Sequence, residues 1–377
     1  MNSRERVVGA LNHQEPDQVP IDLGATMCSS ITRVAYTNLR AYLGWAPDPD
    51  AEISCRLMQS VYPKEDLLLR YAVDLRSVHM NAPRNFRDRE MPDDSYYDEY
   101  QIRWRKAAYY YDAVERPLAD ATIADLAHAA WPDPYDAGRV AGLEEQVRGV
   151  FESTDYAVSA DMICSGPFEQ ACRVRGDEQF CVDLLWDPKF AEALLDKILE
   201  TDIALWDVYL SSVGKYVQVV AQGDDVAMQT ATYISPAMYR KFIKPRQRRL
   251  FEFIHSKTTA KIFYHCCGSV YDIIPDLIEI GVDALNPVQR SAAKMDISIL
   301  KREFGKDITF WGGGIDTQQL LPFATLQQID DEVRRTMEIM APGGGFVFVP
   351  SHNIQPDVTP DRIDQVYQSA LKYRHYR

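Results

Sequence analysis

From about residue 156 onward, short apolar runs rich in strand-forming residues alternate with longer amphipathic stretches. With two earlier runs, eight segments predict β-strands, at residues 19–24, 72–80, 156–166, 216–225, 261–269, 284–289, 307–314 and 345–352. The stretches between them predict helices: one begins at the cap candidate Ser235 followed by Pro236, and another ends at Gly281. Such alternation indicates parallel βα units. The pattern predicts an α/β fold, a closed (β/α)8 TIM barrel.

Two further patterns complete the predicted architecture. Residues 94–118 alternate aromatic and polar side chains, which predicts an inserted β-hairpin after the second strand. Residues 119–150 are acidic, alanine-rich and helical in pattern. No low-complexity linker or internal repeat interrupts the chain, so we expect a single barrel domain over residues 1–377. The rival architecture, an open doubly wound sheet, lacks the GxGxxG turn that would follow an early strand.

Composition narrows the class of protein. Of the 377 residues, 46% are hydrophobic and 25% are charged, and no apolar run reaches the roughly 20 residues that span a bilayer. The charged N-terminus does not match a signal peptide, so we expect a cytoplasmic protein whose seven cysteines stay reduced. A net charge of −14 argues against nucleic acid and anionic membranes as partners. Small molecules and other proteins remain as partners, and a homodimer is compatible with the sequence.

Candidate chemistry lies at the ends of the predicted strands, because a (β/α)8 barrel builds its active site there. The fifth run ends in His265, Cys266 and Cys267, and the eighth ends in His352. Residues two apart along a strand point to the same face, so His265 and Cys267 can share a ligand whereas Cys266 faces the helices. Imidazole and thiolate groups suit zinc, and three protein ligands leave a fourth position open for catalysis. The alternative is that Cys267 is a small buried packing residue.

Other polar side chains lie at neighbouring strand ends. Asp224 and Asp225 end the fourth run, where they are candidates for general acid catalysis, substrate orientation or support of a zinc-bound histidine. A helix-capping turn is the alternative for this pair. Asp22, Glu169 and Gln289 follow other runs and are weaker candidates for contacts with substrate at the same rim.

Several segments resemble the uroporphyrinogen decarboxylase superfamily, in the same order along the chain. They are NSRERVVGALNHQEPDQVPID, GPFEQACRVRGDEQFCVDLL, GDDVAMQTATYISPAMYRKFIKPRQRRL, FYHCCGSVYDIIPDLIEIGVDALNPVQ, FWGGGIDTQQLL and VPSHNIQPDVTPDRI. The resemblance extends from Met1 to the C-terminus and implies the barrel fold. It leaves two chemistries open, because the superfamily contains metal-free decarboxylases and zinc-dependent methyltransferases that exchange methyl groups with corrinoid proteins.

The motifs favour the methyltransferases. Those enzymes carry an HxC pair after the fifth strand, which His265 and Cys267 match, and a third zinc ligand after the eighth. The third ligand is commonly cysteine in the coenzyme M methyltransferases, whereas this chain has His352, as the decarboxylases do. The porphyrinogen decarboxylases resemble one another in an arginine-rich segment after the first strand, which pairs with substrate carboxylates. This chain has DLGATMCSSITRVAY there instead.

Three hypotheses follow. The leading one is a zinc-dependent methyltransferase that moves a methyl group between a small methoxylated or methylated compound, or a thiol, and a corrinoid (cobalamin) protein. The chain lacks a DxHxxG cobalamin motif, so the corrinoid is expected on a separate protein, and tetrahydrofolate is a further candidate methyl partner. The second hypothesis is a metal-free decarboxylase of a small acid. The third is a non-catalytic binding subunit of a methyltransferase complex.

Overall fold

Seven parallel strands form the central sheet of the computed structural model, which describes residues 1–376. The strands follow one another in chain order across the sheet, and they are Leu75–Val78, Ala157–Ala160, Val219–Gly223, Lys261–His265, Ala284–Asn286, Thr309–Trp311 and Phe346–Val347. Each lies inside one of the predicted runs but is shorter than that run. The runs overshoot because they include the apolar loop residues that continue past the last ladder hydrogen bond. The prediction of a TIM-barrel α/β fold is confirmed.

The eighth barrel position is filled by residues 20–22, inside the first predicted run. The Phe348 amide donates to the Pro20 carbonyl oxygen at 2.9 Å, and the Asp22 amide donates to the Phe348 carbonyl oxygen at 2.9 Å. On the other side, the Asp74 amide donates to the Ile21 carbonyl oxygen at 2.9 Å. The segment therefore closes the barrel through an isolated bridge and is not the regular strand that we predicted over 19–24. Pro20 has no amide hydrogen to add to the ladder.

A buried carboxylate holds this closure in place. Asp74 is 1% exposed and accepts hydrogen bonds from the Ile21 amide, the Ser3 hydroxyl, and the guanidinium groups of Arg6 and Arg374. These donors come from the first helix, from the closing segment and from the C-terminus. One carboxylate thus joins both ends of the chain to the barrel.

The helices surround the sheet, as the alternating pattern predicts. They are Ser3–Leu11, Arg33–Tyr42, Glu65–Arg70, Leu143–Ser153, Pro167–Arg175, Asp177–Trp186, Pro188–Val213, Pro236–Met238, Lys244–Lys257, Ile274–Glu279, Ile297–Phe304, Leu326–Met340 and Pro360–Tyr373. A π-helical turn over Tyr239–Ile243 joins Pro236–Met238 to Lys244–Lys257. The Ser235 hydroxyl accepts a hydrogen bond from the Met238 amide, which confirms the predicted cap. Within residues 1–376, no helix combines the length and the apolarity that a membrane span requires.

Two apolar layers separate the inside of the barrel from its outside. The interior layer combines side chains from the strands with Val7 and Leu11 of the first helix, and its strand members include Leu75, Ala157, Val219, Ala221, Phe263, Ala284, Trp311 and Val347. Cys266 belongs to the outer layer, between sheet and helices, so the predicted direction of its side chain is confirmed. Because side chains alternate along a strand, His265 follows Phe263 on the inner face.

An antiparallel sheet is inserted after the strand Leu75–Val78. It has four strands in consecutive order, Arg89–Glu90, Ser95–Tyr97, Arg103–Ala107 and Tyr110–Glu115. The predicted hairpin near residues 94–118 is therefore present, and its sheet begins earlier, at residue 89. A smaller antiparallel sheet of Ile31–Thr32, Ile53–Cys55 and Ser60–Val61 lies in the loop after the closing segment.

The helical prediction for residues 119–150 was wrong for most of the segment. The structure has a short 3₁₀ helix at Ile123–Ala127, and the helix Leu143–Ser153 begins only near the end of the segment. Between them the chain forms turns. Pro132 and Pro134 remove two amide donors from this stretch, and Gly142 has a φ of +73°, so a continuous helix cannot form in spite of the alanine content.

The Asp74 network makes a prediction about stability. Asp74→Ala leaves Arg6 and Arg374 buried without this carboxylate, so the free energy of unfolding should fall by about 3–5 kcal/mol. Urea unfolding followed by circular dichroism measures the change. The matched control is Glu200→Ala, whose ion pair with Lys197 is solvent-exposed and should contribute little. An Asp74→Ala variant as stable as the control would show that the network does not hold the barrel closed.

A second buried carboxylate predicts a pH dependence. Asp202, in the helix Pro188–Val213, is fully buried, and neither of its oxygens accepts a hydrogen bond from a described residue. Burial raises the pKa of Asp202 well above its usual range. The unfolded chain therefore releases this proton at lower pH than the folded chain, and stability falls as pH rises above the unfolded pKa. Asp202→Asn removes this effect.

We expect the Asp202→Asn variant to gain stability over the wild type progressively between pH 5 and pH 8 (about three pH units). Urea unfolding at several pH values measures the difference. Asp50→Asn is the control, because Asp50 is exposed and its replacement should change stability equally little at each pH. A gain that does not depend on pH would contradict the assignment of this proton to Asp202.

Candidate metal centre

Three potential metal ligands meet at the mouth of the barrel. His265 ends its strand, Cys267 follows two residues later, and His352 lies beyond the last strand. Their ligand atoms all lie within 4.8 Å of one another. His265 Nε2 is 3.4 Å from Cys267 Sγ, and the two imidazole ring centroids are 5.6 Å apart. The structure thus brings together the three residues that the sequence proposed as ligands.

This donor set fits a zinc ion. Tetrahedral zinc with nitrogen ligands at about 2.1 Å and sulfur at about 2.3 Å places neighbouring donors roughly 3.4–3.7 Å apart. The distance of 3.4 Å between His265 Nε2 and Cys267 Sγ matches that spacing. Three protein ligands leave a fourth position free, and the side chains of Cys267 and His352 are partly exposed there. The arrangement is that of a site open to a small molecule.

An amide side chain sets the orientation of His265. Asn286 Nδ2 donates to the Trp311 carbonyl oxygen at 2.9 Å, so its Oδ1 is the atom that faces His265 Nδ1 at 2.6 Å. Nδ1 must therefore carry the imidazole hydrogen, and Nε2 keeps its lone pair for a metal. Asn286, which lies inside the sixth predicted run and ends the strand Ala284–Asn286, was not among the residues selected from the sequence. Its signal was available, because it lies at a strand end beside the HxC pair.

The loop that carries Cys267 is held by two side chains of the rim. The Cys267 amide donates to Asp225 Oδ1 at 2.7 Å, and the Gly268 amide donates to Gln289 Oε1 at 2.7 Å. Gly268 has a φ of +89°, and a Cβ at this position would lie 2.4 Å from the Met228 carbonyl oxygen. The loop therefore requires glycine immediately after the cysteine. Both acceptors were selected from the sequence as rim residues.

Both ligands that face the cleft are neutral in the free protein. Burial raises the pKa of the Cys267 thiol well above its usual range. Burial, together with the neighbouring His265, lowers the pKa of His352 to about 3. A neutral imidazole is ready to bind a metal, whereas the thiol must release its proton when a metal binds.

Asp224 lies beside this centre but faces a helix. Its carboxylate accepts hydrogen bonds from the amides of Phe168 and Glu169, in the first turn of Pro167–Arg175, and from Gln247 Nε2. It therefore caps the helix that delivers Glu169 to the rim. This contact matches the capping alternative that the sequence left open for the pair Asp224 and Asp225.

The packing of Asp224 explains why residue 166, the N-cap of the helix Pro167–Arg175, is glycine. A Cβ on Gly166 would lie 2.3 Å from Asp224 Cβ and 2.4 Å from its Cγ. Burial raises the pKa of Asp224 to about 7, and the helix amides oppose this rise. Asp224 lines neither of the cavities described below. Its catalytic role stays a prediction, and the contacts that the structure gives it are structural.

Two cavities lie at the barrel mouth, and two of the three ligands line one of them. The larger, about 760 Å³, is a cleft whose lining includes Cys267, His352 and Gln289. The smaller, about 340 Å³, is lined by both Asp225 and Glu169. Three of the predicted rim residues, Asp225, Glu169 and Gln289, thus face space that a small molecule can occupy.

Met58 and Tyr110 line both cavities and stand between them. Tyr110 belongs to the inserted sheet, and its hydroxyl donates to the side chain of Gln355 in the loop after the last strand. The inserted sheet therefore reaches across the barrel mouth. The sequence analysis used the alternation of its aromatic residues to predict the hairpin, and neither Met58 nor Tyr110 was selected as a site residue.

Asp22 was predicted to contact substrate, but the structure places it below the rim. It is fully buried, and its carboxylate accepts hydrogen bonds from the Ala25 amide and from Trp311 Nε1. Trp311 in turn supports Asn286 through its carbonyl oxygen. Burial raises the pKa of Asp22 to about 6. Asp22 lines neither cavity. Its link to the site is the hydrogen bond from Trp311, whose carbonyl oxygen binds Asn286.

Asp161 is a further buried acid that the sequence analysis missed. It follows the strand Ala157–Ala160 and accepts hydrogen bonds from the Met27 amide and the Tyr62 hydroxyl. Burial raises its pKa to about 6. The signal was its position inside the third predicted run, of which it is the only acidic residue.

Comparison with solved structures identifies the same architecture elsewhere. A methyltransferase from Methanosarcina mazei matches 99% of this chain and 99% of its own chain, with a TM-score of 0.67 and 18% sequence identity. At this identity the match shows a shared fold.

Two curated relatives carry the name uroporphyrinogen decarboxylase. The protein from Streptomyces avermitilis is 22% identical over 268 residues, which cover 68% of this chain and 67% of the relative. The protein from Thioalkalivibrio sulfidiphilus is 23% identical over 280 residues and covers 68% of this chain and 72% of the relative. Both are distant relatives of this chain.

The family comparison covers the part of the chain that builds the site. The model described as "Uroporphyrinogen decarboxylase (URO-D)" matches residues 111–373. That range includes the HxC pair, His352 and the rim residues from Glu169 onward, and it spans well over half of the sequence. The resemblance seen in the motifs is therefore confirmed, and the chain belongs to the uroporphyrinogen decarboxylase family.

Proposed function

We propose that this protein is a zinc-dependent methyltransferase. It moves a methyl group between a small methoxylated or methylated compound, or a thiol, and the corrinoid of a partner protein. The observation that carries the proposal is the convergence of His265, Cys267 and His352, with a free fourth position, beside two cavities. The methyltransferase from Methanosarcina mazei shares the fold and supports the choice within the family.

The proposed chemistry assigns a distinct task to each side chain. His265, Cys267 and His352 would hold zinc, which when bound supplies Lewis-acid polarisation of the heteroatom that carries or receives the methyl group. When the heteroatom carries the methyl group, the electron pair of the breaking bond stays on it and the reduced corrinoid of the partner supplies the pair of the new bond. When the heteroatom receives the methyl group, it supplies that pair and the corrinoid keeps the pair of the breaking bond. Asp225 lies close enough to the ligands to balance positive charge or to supply a proton. Asn286 keeps His265 in the binding tautomer.

The two cavities suit two reactants of different size. We assign the smaller cavity, of about 340 Å³, to the small methylated compound. The cleft of about 760 Å³ suits the larger methyl carrier, which is the corrinoid of the partner or tetrahydrofolate. Cys267 and His352 line the larger cleft, and the smaller cavity is connected to the ligand set through Asp225, which accepts a hydrogen bond from the Cys267 amide.

The charges around the cavities disfavour porphyrinogen decarboxylation. Among the described residues, the lining of both cavities contains two arginines, Arg116 and Arg173, and no lysine. Arg116 is paired with Asp177, and Arg173 is paired with Glu169. A substrate with many carboxylates would therefore find no unpaired cation in either cavity. This supports the methyltransferase over the decarboxylase that the curated relatives' name suggests.

The test combines metal content with methyl transfer. Elemental analysis of protein purified without a metal-binding tag should find close to one zinc per chain (about 1:1, one set of three ligands). Cys267→Ser and His352→Ala should each lose most of it. With reduced corrinoid and a panel of methoxylated and methylated compounds, the wild type should demethylate a member of the panel, and removal of zinc by a chelator should abolish transfer.

Cys266→Ser is the matched control, since it changes the neighbouring thiol on the opposite face of the strand. This variant should keep its zinc, and circular dichroism should show that all three variants are folded. Absence of zinc from a folded wild type that has been incubated with zinc would overturn the proposal. Release of carbon dioxide from a small acid, unaffected by chelators, would favour the decarboxylase instead.

Asn286→Ala tests the support of His265. The imidazole then loses the acceptor that fixes its tautomer and orientation, so zinc affinity should fall about 10–100-fold while the ligands remain present. Competition with a chromogenic chelator measures the affinity. The control is Asn85→Ala, at an exposed position remote from the strand ends, which should bind zinc as tightly as the wild type. Equal affinities of the two variants would show that Asn286 does not orient the ligand.

A further inference from the structure

The smaller cavity has an unusually aromatic wall. Five aromatic side chains contribute to it, from the inserted sheet, from the helix Pro167–Arg175 and from the loop after the strand Val219–Gly223: Trp104, Tyr110, Tyr111, Phe168 and Tyr233. The faces of aromatic rings carry partial negative charge and attract cations. An aromatic wall therefore favours a positively charged ligand over a negatively charged one.

The same cavity has an excess of acidic groups. Its lining contains the carboxylates of Asp112, Glu169, Asp177 and Asp225. The two arginines of the lining neutralise Glu169 and Asp177, as described above. Among the described residues, no basic side chain forms an ion pair with Asp112 or Asp225. Asp112 and Asp225 are thus the two carboxyl groups of the lining that have no ion pair.

Asp225 is the unpaired carboxylate nearest to the proposed metal centre. Its Oδ1 accepts the hydrogen bond of the Cys267 amide, whereas its Oδ2 accepts none from the described residues. The side chain is partly exposed and lines the cavity. A positively charged group in the cavity would therefore contact the Asp225 carboxylate on the side that faces the metal ligands. Aromatic rings would surround the group on its other sides.

We infer that the smaller cavity binds the cationic head of a methylated ammonium compound. This inference specifies the substrate class of the proposed function. The reaction depends on the proposed function, whereas the binding preference depends only on the cavity. A volume of about 340 Å³ lies at the small end of ligand pockets and accommodates a compact quaternary ammonium group. Aromatic walls combined with a carboxylate are the chemistry that recognises such groups.

A methylated ammonium donor also balances the transfer. The C–N bond breaks and its electron pair stays on nitrogen, where zinc, when bound, would accept it, and the compound leaves as a neutral amine. The new bond to the methyl carbon takes both electrons from the nucleophilic reduced corrinoid of the partner. No proton is consumed, so Asp225 can act as a counter-charge throughout.

A pair of isosteric probes tests the inference. Choline and 3,3-dimethylbutan-1-ol share size and shape, but the second replaces the charged nitrogen with carbon. Isothermal titration of the protein as purified, with its zinc content measured, should show choline bound about tenfold more tightly or better. Tyr111→Ala should reduce this preference several-fold, and so should Asp225→Asn, which keeps an acceptor for the Cys267 amide.

Tyr109→Ala is the matched control, because Tyr109 belongs to the same hairpin but lines the larger cleft. This variant should retain the wild-type preference for choline. Equal binding of the two probes, binding of neither, or tighter binding of the anion 3,3-dimethylbutanoate would each overturn the inference. A clear preference for choline in a protein that lacks zinc and methyl transfer would support the inference while the proposed function fails.

Discussion

The contact between the last strand and residues 20–22 is the one on which the rest of the molecule depends. Two hydrogen bonds join this segment to Phe348, and a third joins it to the first strand of the sheet. Closure brings the end of the last strand, and with it His352, around the rim toward His265. The buried carboxylate of Asp74 stabilises this arrangement by joining the closing segment to both ends of the chain.

The barrel mouth uses its acidic residues in two different ways. Asp22, Asp161 and Asp224 are buried, and backbone amides donate hydrogen bonds to all three, so they organise loops and a helix end. Asp225 and Glu169 face a cavity instead. A carboxylate that is surrounded by donors stabilises structure, whereas one with a free oxygen at a cavity is available to a ligand. The proposed chemistry therefore concerns the second group.

The inserted sheet turns one barrel mouth into two spaces. Tyr110 reaches over the rim, contacts Gln355, and together with Met58 stands between the smaller cavity and the larger cleft. Under the proposed function, the smaller space would take the methylated compound and the larger one the methyl carrier. The partition also explains why the insertion is rich in aromatic residues, since the same rings stabilise the sheet and line the cavities.

The sequence by itself determined the features that depend on near neighbours. The repeat of strand and helix predicted the barrel, the two-residue period of a strand placed His265 and Cys267 on one face, and Ser235 marked a helix start. Only the tertiary structure decided what depends on distant contacts. Residues 20–22 act as the eighth strand because Phe348 and Asp74 lie on either side of them.

The different roles of adjacent residues also came from the tertiary structure. Asp224 and Asp225 are neighbours of the same residue type. Asp224 accepts a hydrogen bond from a helix amide, whereas Asp225 accepts one from the Cys267 amide. Asn286 orients His265 through a hydrogen bond, although the two residues are 21 positions apart in the chain. Local periodicity specifies which way a side chain points, but the atoms that it meets come from other strands. Those partners are set by how the barrel closes.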